Sequence, residues 1–135
     1  MRLVIDTNRI IAGLIRDGPS RVIIFSKEHQ FFTPEYALIE INRHRDELCE
    51  KARISPNDFE MIMKFLFEKI TIVPQLEYNE HLEQSKAMLS DKDDAPFLAL
   101  AIALEAEGIW TEDIHFLNQK KVKIFTNREI FNFQS

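Results

Sequence analysis

The chain has 135 residues, 45% hydrophobic and 29% charged, with a formal net charge of −5 and one cysteine. That length supports a sizeable core without staples, no apolar run nears the roughly 20 residues of a membrane span, and a lone Cys49 excludes an internal disulfide framework and fits a reducing compartment. The acidic balance argues against an indiscriminate nucleic-acid binder with a basic surface, but not against an enzyme that gathers acids around a cation.

In chain order, residues 2–6 (RLVID) predict a short buried strand and residues 8–15 a first short helix. Asp17-Gly18-Pro19-Ser20 reads as a turn, with Ser20 capping a helix through about Glu28. Phe31-Phe32 predicts a brief strand, and Thr33-Pro34 a helix start that opens one helix over 34–52. Ser55-Pro56-Asn57-Asp58 repeats that signal. Phe59, Ile62, Met63, Leu66 and Phe67 then share one helical face, a packing stripe for the core or a partner. Ile70–Val73 predicts a strand and about Tyr78–Leu89 a helix. DKDDAPFLALAIALEAEG predicts a buried helix with an acidic front and a stop at Gly108. Ile109-Trp110 and Lys123–Phe125 complete the strands. Asp6 breaks the first apolar run too early for a signal peptide, so the expectation is one cytoplasmic domain over 1–135.

Short strands alternating with helices predict an α/β fold with a mostly parallel sheet, whose sites lie beyond the carboxyl ends of the strands. Asp6 and Asp113 both follow strands, Glu40 interrupts the apolar ALIEI, and Asp94 fronts the buried helix. Singly, each is explained as a cap, a turn residue or an exposed helix residue. Together they border apolar segments where such folds place ligands. Converging carboxylates require either raised pKa values or a divalent cation, because like charges ~4 Å apart repel by about 4 kcal/mol at a near-surface dielectric. An oxygen-only donor set suits Mg²⁺ or Mn²⁺, and the four histidines show no zinc-like spacing.

These motifs resemble the PIN domain, a small metal-dependent ribonuclease fold that includes VapC-type toxins. "VIDTN", "TPEYALIEI", "DKDDAPFLALAIAL" and "IWTEDIHF" stand in the family's order across residues 3–116. The resemblance implies a three-layer α/β/α architecture with a mostly parallel sheet of four to five short strands. It also implies that Asp6, Glu40, Asp94 and Asp113 form a catalytic metal cluster for Mg²⁺ or Mn²⁺, with Asn8 and Thr111 as polar supports. Asp91 and Asp93 lie beside Asp94, and Asp91 is carried with the supports. Many family members have a further acid where this chain has His115, which weakens the case for a full second metal site.

The expected activity is metal-dependent hydrolysis of RNA, as an endoribonuclease and possible toxin of a toxin–antitoxin pair. The expected partners are RNA, an antitoxin protein and a second copy of the chain as a homodimer, with no membrane. Arg9, Arg43 and Lys92, with Arg16 and Arg45 behind them, are the cations expected to meet the RNA backbone. His44, one turn after Glu40, is either within reach of the site edge or an ordinary surface or packed histidine, the commoner case. The alternative is a PIN-fold interaction or dimerisation module with little or no catalysis. An aspartyl-phosphate phosphohydrolase also starts with a strand ending in Asp, but normally has a second Asp where Asn8 stands.

Overall fold

The computed structural model describes residues 1–134. Among them, β1 (Arg2–Ile5), β2 (Gln30–Pro34), β3 (Ile70–Val73), β4 (Gly108–Trp110) and β5 (Ile124–Phe125) form one parallel sheet in the order β3-β2-β1-β4-β5. Leu3, Val4 and Ile5 of the central strand are fully buried, as a parallel strand covered on both faces requires. Helices flank the sheet. They are α1 (Thr7–Ile15), α2 (Pro19–Ile24), α3 (Glu35–Arg43), α4 (Arg45–Ala52), α5 (Pro56–Phe67), α6 (Leu82–Met88), α7 (Ala95–Ala103) and α8 (Asn127–Gln134). The apolar α7 lies across β1, β2 and β4 with α6 against it, while α1 packs on α2, α3, α4 and α5. Phe97, Leu98, Ala99, Leu100 and Ala101 of α7 are all buried, which explains why its sequence is apolar on every side.

Strand order reverses at β1: the chain first adds β2 and β3 on one side, then crosses to β4 and β5 on the other. The crevice between the carboxyl ends of β1 and β4 is therefore the switch point at which open α/β sheets bind ligands. Asp6 follows β1 and Asp113 lies just beyond β4, so the topology alone brings two acids from opposite ends of the chain together.

Several sequence expectations need correction. The single helix over 34–52 divides at His44, whose φ of −110° and ψ of 16° leave the helical region. Thr33 is not a cap but a buried residue of β2 whose hydroxyl donates to the Ile5 carbonyl at 3.0 Å. The helix expected through Glu28 stops at Ile24 and is capped by Gly18, with Ser20 buried inside it. The helix expected over 78–89 is shorter: a 3-10 turn at Asn79–His81, itself preceded by one at Gln75–Glu77, comes before α6. The closing helix α8 was not anticipated. The 59–67 stripe behaves as core packing: Phe59, Met63 and Leu66 are buried.

Gly108 is no helix stop either. Helix α7 ends at Ala103, Glu105 takes the left-handed turn (φ 51°), and Gly108 is the first residue of β4. A Cβ at 108 would overlap the Phe125 ring and come within 2.6 Å of the Lys123 carbonyl oxygen. Glycine is needed here for close approach. Gly108→Ala is therefore expected to destabilise by about 1–3 kcal/mol, the range for overpacking, read as a fall in urea midpoint.

Candidate metal centre

Asp6 leaves β1 and caps α1 at once. Its backbone N–H donates to the Trp110 carbonyl, tying it to β4. Oδ1 accepts from the Arg9 backbone N–H at 2.9 Å, and Oδ2 accepts a hydrogen bond from the Thr111 hydroxyl. Helix cap and site wall are thus the same residue, with only 5% of it exposed. The Thr111 oxygen also accepts from the Asp113 backbone N–H at 3.0 Å, so one threonine fixes both acids. Glu40, on α3, accepts from the Thr7 hydroxyl through Oε1 at 2.6 Å. Asp94 ends a 3-10 turn (Lys92–Asp94) just ahead of α7. Its Oδ2 is buried without a hydrogen-bond partner.

These groups wall a cavity of about 170 Å³. Asp6, Glu40, Asp94 and Asp113, all four acids expected from the sequence, line it, with Asp93, Thr7, Asn8 and His44. Ile11 and Phe97 supply an apolar patch. Burial pushes the Asp94 carboxyl up to about 7, with the charges of Asp91, Asp113 and Asp6 adding to it. Burial likewise lifts Asp6 to about 6, although the Thr111 and Arg9 hydrogen bonds and the Arg9 charge pull against the rise. Glu40 is raised by burial and by Asp93, against the Thr7 hydrogen bond. A pocket in which several acids resist ionisation is one that a cation relieves.

The other expected residues divide. Asn8 lines the cavity and Thr111 braces two of its acids. Asp91 does not line it; its carboxylate caps the 3-10 turn by accepting from the Asp93 N–H at 2.9 Å. Arg9 lies off the cavity and donates to Ser20 Oγ at 3.3 Å. Arg43, Lys92 and Arg16 are exposed, and Arg45 pairs with Glu60 and Asn42. The Asp113 carboxylate accepts from the backbone N–H of His115, and its Oδ1 lies 2.9 Å from the ring Nδ1. Of the polar wall residues, Thr7 did not stand out in the sequence, whereas Asp93 did, as a neighbour of Asp94 beside Asp91. Thr7 was signalled only by its place beside Asp6, and nothing in DKDD ranked Asp93 above Asp91.

Among the described residues, no group of three or more His, Cys, Asp or Glu side chains is placed so that it could hold a metal ion as the side chains stand. The donor chemistry nonetheless fits a hard divalent ion. The orphaned Asp94 oxygen, the raised acids and the oxygen-rich wall suit a cation that keeps several waters, as Mg²⁺ does.

A parallel α/β/α domain with a carboxylate pocket at its switch point is the class that fold and site define. The chain belongs to the PIN domain family, whose profile matches residues 4–131 and whose members are generally nucleases that use divalent metals. In fold it is similar to a solved structure of VapBC2 from Rickettsia felis bound to a DNA fragment from their promoter. The TM-score is 0.66 at 16% identity, covering 93% of this chain and 98% of that one. A comparison with curated protein sequences finds no match. No helix among the described residues is long and apolar enough to cross a membrane.

Proposed function

We propose that this chain is a metal-dependent ribonuclease of the VapC toxin type, with Asp6, Glu40, Asp94 and Asp113 holding Mg²⁺ or Mn²⁺. The observation that carries the reading is the buried, unpartnered Oδ2 of Asp94 in a wall of acids. When bound, the cation supplies Lewis-acid stabilisation of phosphoryl oxygens and a water acidic enough to attack phosphorus. The chain's own residues position the acids. Thr111 fixes Asp6 relative to Asp113, Thr7 aims Glu40, and the Arg9 N–H holds the other Asp6 oxygen. No side-chain nucleophile is needed; Cys49 is buried on α4, away from the cavity.

The VapBC2 likeness supports a protein antitoxin as partner. The exposed Met61, Phe65 and Ile72 on α5 and β3 support an apolar contact surface, for that antitoxin or for a second copy of the chain. His115, standing where many relatives have an acid, favours a second reading, an interaction module with weak catalysis. Incubating the protein with single-stranded RNA and with DNA of the same sequence separates the two. Cleavage of the RNA with Mn²⁺ and none with EDTA is expected; intact RNA at saturating Mn²⁺ would leave only the interaction module.

A further inference from the structure

We infer that the His44 imidazole is a ligand of the divalent ion, beside Glu40, and gives the site a preference for Mn²⁺ over Mg²⁺. This rests on the proposal that the acid pocket holds a cation, and adds a nitrogen donor to it. His44 follows Glu40 by four residues, as the C-cap residue of the helix that carries it, and both residues line the cavity. The helix break at His44 ends α3 and starts α4 there. No lysine or arginine lines that wall, and His44 is its one nitrogen base.

The second observation is the ring's other partner. Nδ1 of His44 lies 3.3 Å from Oε2 of Glu47. A carboxylate on one ring nitrogen places the proton there and leaves a lone pair on the other, the arrangement that orients metal-bound histidines. An exposed pair of this kind contributes little to stability by itself. With 53% of its side chain exposed, His44 is free to turn inward when an ion arrives. That freedom matters because, among the described residues, no group of three or more His, Cys, Asp or Glu side chains stands ready to hold an ion. His115 differs. Its Nδ1 faces Asp113, an acid already assigned to the ion, and its ring is not part of the cavity wall. Imidazole is a softer donor than carboxylate or water, so a mixed set discriminates against Mg²⁺.

The test uses the untagged full chain loaded with Mn²⁺ and pulsed electron paramagnetic resonance, which detects ¹⁴N bound directly to manganese. The wild-type protein is expected to show imidazole nitrogen modulation that His44→Gln abolishes and His115→Gln retains. By calorimetry, His44→Gln is expected to weaken Mn²⁺ by about tenfold or more, the scale on which even outer-sphere partners act, and Mg²⁺ much less. Manganese bound to the wild type without nitrogen modulation, or modulation lost in His115→Gln and kept in His44→Gln, overturns the inference and leaves the nuclease reading standing. A wild-type chain that binds no Mn²⁺ overturns both.

Discussion

Asp94→Asn is expected to cut metal-dependent RNA cleavage at least about a hundredfold while raising the thermal stability of the metal-free protein. Losing an outer-sphere partner of a metal ligand typically costs ten- to a hundredfold, and a ligand should cost no less. Stability moves the other way because the native carboxylate is a burden without a cation. It is desolvated, it faces Asp91, Asp113 and Asp6, and one oxygen has no partner. Asparagine keeps the shape and removes the charge, a trade of activity against stability common at functional sites. Asp6→Asn is the instructive contrast. Its activity should also fall, but without a gain in stability, because both oxygens of Asp6 accept hydrogen bonds. An amide can keep the Arg9 N–H on its oxygen, yet its NH₂ cannot accept from the Thr111 hydroxyl, which loses the acceptor it has in Asp6. Cleavage assays and melting curves in EDTA check both variants. An active Asp94→Asn enzyme would remove Asp94 from the metal site.

How much of this was legible in the sequence depended on the range of the interaction involved. Strand β1 and the buried α7 were readable because burial on both faces writes itself as a continuous apolar run, and the edge strand β3 because its β-branched residues end at a proline. The four pocket acids were readable because each interrupts or borders such a run, and their family order reinforced it. What failed were features set by distant atoms. Thr33-Pro34 has the local signature of a helix start, but a hydrogen bond to Ile5 on the neighbouring strand draws Thr33 into the sheet. Gly108 resembles a helix stop, and only Phe125 and Lys123, far along the chain, explain it. The break at His44 left no proline or glycine to announce it. Within the site, Asp91 and Asp93 are equivalent in sequence; the 3-10 turn makes one a cap and turns the other to the cavity.

In EDTA, the protein is expected to lose stability as pH rises from about 4 to 7, and Mn²⁺ is expected to remove that loss. A carboxyl raised above its unfolded pKa binds a proton more tightly in the folded state, so folding stability falls with pH between the two values. Asp94, at about 7, and Asp6, at about 6, both act in this direction, as does Glu40. His29 opposes them: burial and the neighbouring N-terminal amine lower its pKa, so its contribution to stability appears as pH rises. The difference between wild type and Asp94→Asn isolates the pocket from His29, because the variant deletes one downward slope and leaves the histidine untouched. A divalent ion competes with protons for the same oxygens, so its stabilisation should grow with pH. At about a hundred times its dissociation constant, a bound ion adds about 2.7 kcal/mol. For a chain of this size that is a rise in melting temperature of about 8 °C, expected near pH 8 and much reduced near pH 5. Melting curves across pH, with EDTA and with Mn²⁺, decide the matter. A metal-free protein whose stability climbs from pH 4 to 7, with no difference between wild type and Asp94→Asn, would mean that the pocket's acids carry no electrostatic load. The case for a cation between them would then lose its physical basis.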